Sequence, residues 1–135
     1  NVIIIEQPLK YGLDYKLKNI ITKILFCADE SFHIKNKNKI LKYYQVINLK
    51  LDKFGGLSKS LEIIKFLKRK HKKILLGCMV SSSLSIIPAL SLVKYCDFLD
   101  LDGAYFLKKD FFGLNACLSI SSPNAGATTP FAAYK

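Results

Sequence analysis

Four acidic residues and one lysine stand where apolar runs give way to loops. Glu6 follows residues 2–5, Asp29 follows 24–28, Lys50 lies near the end of 46–51, and Asp100 and Asp102 lie in 98–102. Carboxylates closing successive strands suit a hard divalent cation, since magnesium takes oxygen ligands in an octahedron and keeps several waters. Glu6 and Asp29 are the candidate metal ligands. Two protein ligands are few for an enzyme site, so a third is expected nearby. Lys50, from the next strand, would stand beside the cation. A free lysine titrates at about 10.4 and is a poor base at neutral pH. A neighbouring cation and partial burial both disfavour its protonated form and are expected to lower that value. A lysine so tuned can abstract a proton next to a carboxylate while the metal stabilises the resulting enediolate. Each residue alone has a plainer role as helix cap, turn former or solvent-facing lysine. The combination in this order is what points to chemistry. Lys53, in the glycine loop three residues on, is the minor competitor for the role of Lys50.

The elements that must position these residues alternate. Residues 2–5, 24–28, 46–51, 74–78 and 98–102 read as strands, β-branched or apolar and bounded by charged or turn residues. Between the first two, Leu13, Leu17, Ile20, Ile21 and Ile24 recur at helical spacing. Residues 35–44 read as a short basic helix. Phe54-Gly55-Gly56 reads as a loop, with Ser58 as N-cap of a helix to about Lys72 that places Leu61, Ile64, Leu67 and His71 on one side. Residues 83–95 read as a fourth helix, weakened by Pro88. The candidate residues recur every 21 to 28 positions (6, 29, 50, 78, 100), the length of one β/α unit. Such alternation implies parallel strands with right-handed crossovers, which a closed barrel or an open doubly wound sheet satisfies equally. Residues from several strand ends converge on one face of a barrel. In an open sheet they converge only near a switch point. No glycine-rich nucleotide fingerprint is present, so the expected class is α/β with barrel segments.

Composition bounds the alternatives. With 135 residues, 50 % apolar and 23 % charged, the chain is globular in composition. No basic leader or apolar h-region marks a signal peptide. The longest apolar-rich stretch, 83–93, is broken by serines and Pro88 and is too short for a bilayer, so no membrane partner is expected. The net charge of +11 rests almost wholly on lysine, with Arg69 the single arginine. Lysine spread over helix faces, without helix-turn-helix, zinc-finger or aromatic RNA-binding signals, makes nucleic acid an unlikely partner. Cys27, Cys78, Cys96 and Cys117 show no C-x-x-C spacing and read as reduced cysteines of a cytoplasmic protein. His33 and His71 are isolated and read as loop and solvated residues. Residues 111–135 contain no acid, and 119–133 are small, polar and proline-punctuated, which reads as an atypical, partly disordered tail after a unit spanning 1–110.

Five motifs then occur in register: Glu6-Gln7-Pro8, Ala28-Asp29-Glu30-Ser31, the stretch from Asn48 to Leu57 (NLKLDKFGGL), Gly77-Cys78-Met79-Val80 and Asp100-Leu101-Asp102-Gly103. Together they resemble the C-terminal half of the enolase-superfamily barrel, in the muconate-lactonizing subgroup, and most resemble its dipeptide (L-Ala-D/L-Glu) epimerases. The resemblance implies a partial (β/α)8 TIM-type barrel, strands four to eight with intervening helices. It implies that Glu6 and Asp29 are the second and third Mg2+ ligands and that Lys50 is the acid/base lysine. It also implies that Asp100 and Asp102 bind the α-ammonium of a short peptide. The remaining ligand, a partner lysine and a capping domain belong to parts of the family pattern not matched here. The expectation is therefore a barrel fragment, inactive or nearly so alone, whose open strand edges invite self-association into a homo-oligomer.

Two rivals stand beside this reading. A cycloisomerase or o-succinylbenzoate synthase would keep the superfamily, but its substrates carry no α-ammonium for Asp100 and Asp102. A basic nucleic-acid-binding protein would use the net charge and would show steeply salt-dependent binding.

Overall fold

The computed structural model describes residues 2–110. Five strands, β1 (Ile4–Glu6), β2 (Leu25–Ala28), β3 (Val46–Lys50), β4 (Lys73–Gly77) and β5 (Phe98–Asp100), lie side by side in chain order. Every neighbouring pair is parallel. A doubly wound sheet reverses its winding at a switch point. Here each strand is laid down beside the one before it, with helical turns in every crossover. The result is a curled half-barrel of five parallel strands with helices.

Alternation along the strands explains both faces. Cys27, Val46 and Leu75 form a buried apolar layer with Ile4, Leu25 and Phe98. Two residues further along the same strands, on the same face, come Glu6, Asp29, Asn48, Gly77 and Asp100, with Lys50 beyond Asn48. The opposite face carries Phe26, Ala28, Ile47, Leu49, Ile74 and Leu76, which join the larger core with Ile63, Ile64, Leu67 and Leu92 from the helical layer. Strands β3 and β4 are buried on both faces, and this is why their sequences read as nearly continuous apolar runs.

The helical layer departs from the periodicity in instructive ways. Helix α1 (Lys37–Ile40) is shorter than the expected 35–44. Residues 54–56 are no simple loop: α2 (Leu51–Phe54) and α3 (Gly56–Arg69) meet at Gly55, whose left-handed backbone (φ 81) bends one helix into the next. The expected cap Ser58 consequently lies inside α3. That helix buries Ser60, Ile63, Ile64 and Leu67, while Leu61 is half-buried. His71 lies past the helix end at φ 53 and is exposed, as expected of a solvated residue, so it does not continue the side of Leu61, Ile64 and Leu67. The apolar periodicity from residue 13 yields only a 3-10 helix, Asp14–Asn19, with Leu17 buried and Ile20 and Ile21 exposed. Residues 83–95 divide into α4 (Ser83–Ile86) and a 3-10 stretch, Ile87–Tyr95, and the change falls at Pro88, which lacks an N–H to continue the α pattern. The expected tail 111–135 and Cys117 lie outside the described residues. Cys27, Cys78 and Cys96 are free thiols. No helix among the described residues is long and apolar enough to cross a membrane.

Candidate active site

Glu6, Lys50 and Asp100 are the last residues of β1, β3 and β5, and Asp29 directly follows β2. Parallel strands in sequential order bring all four to one end of the sheet. Lys50 pairs in register with Gly77, and Gly77 with Asp100, so the lysine and the aspartate flank a residue without a side chain. Glu6 pairs with Cys27, two residues before Asp29. The buried Cys27 thiol registers the result: burial pushes it far up, and the charges of Glu6, Asp29 and Asp100 add to that while Lys50 opposes it.

Asp29 is the hub of the cluster. It is 5 % exposed, accepts a 2.9 Å hydrogen bond at Oδ2 from Lys50 Nζ, and binds Lys53 Nζ through Oδ1. Burial alone would raise its pKa. The hydrogen bonds and charges of Lys53 and Lys50 outweigh burial and hold the carboxyl below its ordinary range. Glu6 goes the other way: burial raises it, a hydrogen bond from Asn48 relieves it in part, and Asp29 raises it further. Asp100 is pushed up to about 6, first by burial and then by the charge and hydrogen bond of Asp102. Asp102 itself is exposed. It lies past the strand, which ends at Asp100 and not at 102, and precedes the 3-10 turn Gly103–Phe106.

Burial lowers the pKa of Lys50, as anticipated; among the protein groups alone, the hydrogen bond and charge of Asp29 and the charge of Glu6 outweigh burial, and the net shift is upward. With the residues present, Lys50 is an ammonium tied to Asp29. Lys53 is no alternative occupant of a separate place, because both lysines converge on the one carboxylate.

Two residues of the site were quoted within motifs but given no role by the sequence. Asn48 Nδ2 donates to Glu6 Oε1 at 2.7 Å, and its amide lies so close over Gly77 that a Cβ there would be 2.2 Å from Asn48 Oδ1. The available signal was a polar residue on the inner face of an otherwise apolar strand, two positions before Lys50. Gln7 accepts hydrogen bonds at Oε1 from the backbone N–H of Asp29 and of Ser31, both at 3.1 Å. On the other side, the loop after β4 is locked to the turn after β5: Gly103 N–H donates to Cys78 Sγ, and a Cβ at Gly103 would lie 2.2 Å from Met79 O. His33 is exposed and contacts the Tyr11 ring edge-on. Among the described residues no group of three or more His, Cys, Asp or Glu is arranged to hold a metal ion. A separate cleft of about 190 Å³, lined by Phe32, Lys37, Ile63 and Phe66 among others, contains none of the candidate residues.

Among the curated proteins similar to this chain are a racemase and an epimerase. The N-acetyl-D-glutamate racemase of a Pseudoalteromonas species is 44 % identical over 111 residues, 82 % of this chain and 35 % of the racemase. The L-Ala-D/L-Glu epimerase of Escherichia coli is 41 % identical over 110 residues, 81 % of this chain and 34 % of the epimerase. The chain is a relative of the enolase-superfamily dipeptide epimerases. It spans about a third of the length of the curated relatives it matches. Solved structures agree. An enolase family member from Agrobacterium tumefaciens, with homology to dipeptide epimerases and holding sodium and L-Ala-L-Glu, matches with a TM-score of 0.75 at 39 % identity, over 80 % of this chain and 33 % of that one. The dipeptide epimerase of Methylococcus capsulatus, complexed with Mg and L-Arg-D-Lys, matches with a TM-score of 0.70 at 30 % identity, over 81 % of this chain and 33 % of that one. No family model matches the chain.

Proposed function

We propose that these residues form barrel strands four to eight of a Mg2+-dependent epimerase that inverts the α-carbon of a short peptide. The observation that carries this reading is the convergence of Glu6, Asp29, Lys50 and Asp100 on one inner face at one end of a parallel sheet. Glu6 and Asp29 fit magnesium in kind: both offer hard oxygen donors from adjacent strands. They fall short in number, so a further ligand comes from chain beyond the described residues. The chemistry supplied by a bound magnesium ion is neutralisation of the charge that develops on the substrate carboxylate.

The chain's own residues do the rest. Asp29 orients Lys50 through the 2.9 Å contact and keeps its ammonium over the inner face. Lys50 holds and moves the α-proton at Nζ; Glu6 and Asp29 would hold the cation, whose charge would weaken the upward pull of Asp29 on the lysine's pKa. Asp100 is pushed up to about 6 first by burial and then by the neighbouring Asp102 carboxyl, with Lys50 opposing. A substrate ammonium supplies a cation to the pair through charge-assisted hydrogen bonds.

The 44 % identical racemase favours a second reading of the substrate, an N-acylated glutamate. Its nitrogen is an uncharged amide and needs no carboxylate pair.

A chimera tests both. The matched stretch of the Escherichia coli epimerase is replaced by residues 1–110 of this chain, and α-proton exchange is followed by NMR in D2O with L-Ala-L-Glu and with N-acetyl-glutamate. Exchange of the dipeptide, abolished by Lys50→Met and selectively damaged by D100N with D102N, is the expected result. A folded chimera that exchanges neither substrate refutes the epimerase reading. Preferential exchange of the N-acetylated acid selects the second. The 135-residue chain alone is expected to be inactive, and its racemising the dipeptide would overturn the need for further strands.

A further inference from the structure

We propose that Gln7 is a positioning residue that sets the spacing of the Glu6 and Asp29 carboxylates by tying the end of β1 to the loop after β2. The inference rests on the divalent-cation reading of those two residues. Gln7 has φ 40, in the left-handed region that glycine normally occupies. A side chain with no β-carbon freedom to spare accepts that conformation only when its surroundings over-determine it. Here they do. The Gln7 backbone N–H donates to Cys27 O at 2.8 Å, carrying the β1–β2 ladder one residue further. Its Oε1 then takes the N–H groups of Asp29 and Ser31. Its Nε2 donates to Leu9 O at 2.7 Å and Ser31 Oγ at 2.8 Å, with Tyr44 Oη at 3.3 Å.

The far end of this network is anchored deeply. Tyr44 is fully buried and donates to Asp14 Oδ1 at 2.7 Å, while Gly12 N–H donates to Oδ2 at 3.2 Å. Asp14 is 4 % exposed, and its partners are hydroxyls and backbone N–H groups. The Gln7 amide thus connects the strand carrying Glu6, the backbone N–H of Asp29 itself, and a buried hydrogen-bonded support from residues 12–14 and 44. Its place explains its use. Glu6 and Asp29 are like charges at adjacent strand ends, and the charge of Asp29 acts unfavourably on the ionised Glu6. A cation site needs the two carboxylates held at one spacing before the ion arrives. Asn48 pins the Glu6 carboxylate from β3, and Gln7 pins the main chain on either side.

The test uses the chimera described above, which supplies the ligand that Glu6 and Asp29 lack, with Mn2+ as probe, read by paramagnetic broadening of the Glu6 and Asp29 amide signals and by thermal midpoint without metal. Gln7→Gly removes the amide while easing the left-handed backbone, so it spares the fold. It is expected to weaken Mn2+ binding at these residues about tenfold, the effect usual for loss of an outer-shell partner. Gln7→Glu keeps both bonds accepted from Asp29 and Ser31 and adds a negative charge beside the site, so it is expected to bind Mn2+ no more weakly than wild type. Leu67→Ala, in the outer core, is expected to lower the thermal midpoint without changing Mn2+ affinity. The proposal is overturned if Gln7→Gly binds Mn2+ as wild type does, if Gln7→Glu loses as much affinity as Gln7→Gly, or if Leu67→Ala weakens binding equally. Failure of the unsubstituted chimera to show broadening at Glu6 and Asp29 overturns the divalent-site reading together with it.

Discussion

Replacing Gly77 by alanine puts a methyl group 2.2 Å from Asn48 Oδ1 and 3.0 Å from its Cγ and Nδ2. Asn48 is buried, 1 % exposed, and its Nδ2 is committed to Glu6, so the amide has nowhere to go without giving up that bond. Two costs compete. Keeping Asn48 in place means overpacking, about 1–3 kcal/mol. Turning it aside loses a hydrogen bond to a carboxylate, about 1.5–3 kcal/mol. The molecule takes the cheaper route, so the expected loss for Gly77→Ala is about 2 kcal/mol and not the sum. The chemistry of the site follows the packing: Asn48, ahead of Lys50, partly offsets the upward push of burial on Glu6, and without it that carboxyl holds its proton more tightly. The assay is a double-mutant cycle by urea denaturation with Gly77→Ala, Asn48→Ala and the pair. Shortening Asn48 makes room for the methyl, so Gly77→Ala in that background is expected to cost under about 0.5 kcal/mol, a coupling of about 1.5 kcal/mol. Additive single variants, or Gly77→Ala costing under about 0.5 kcal/mol in the wild-type background, would refute the reasoning.

Two further outcomes follow from the same geometry. Asp100 binds its proton more tightly in the folded chain than when unfolded, so its contribution to stability is fully present below about pH 4 and is lost as pH rises through about 6. D100N is expected to flatten the stability profile between those values and to raise stability at pH 7, checked by urea midpoints across the range, while an unchanged slope would contradict it. Gly103→Ala drives a Cβ against the Met79 carbonyl, a backbone atom that cannot rotate away, and is expected to destabilise more than Gly77→Ala and to loosen the loop after β4. Equal thermal midpoints for the two variants would count against that ranking.

The inner face of the sheet was legible because parallel β/α units impose two periods at once. Alternation along a strand selects one face, and a repeat of 21 to 28 residues returns the chain to the same end of the sheet. Residue types at the strand ends were therefore enough to collect Glu6, Asp29, Lys50 and Asp100 before any coordinates. The helices were read less well. Apolar residues at helical spacing from residue 13 describe a surface that can be buried, and only the packing decides that Leu17 is buried while Ile21 stays fully exposed. Gly55 was read as a loop residue because glycine permits many conformations. The one it adopts joins two helices.

By itself, then, the sequence determined the alternation of strands and helices along the chain, the identity of the charged groups at the strand ends and the resemblance those motifs carry. These are consequences of local pattern and chain order, which no folding event can change. The tertiary structure alone decided the charge state and the support of the site. The Lys50 pKa is raised because Asp29 comes to rest 2.9 Å away. Asp100 is raised because Asp102 turns back on it beside buried surface. Gln7 and Asn48 carry roles because residues 22, 24 and 42 positions distant meet their amides. Hydrogen bonds and desolvation depend on distance in space, and distance along the chain does not encode that.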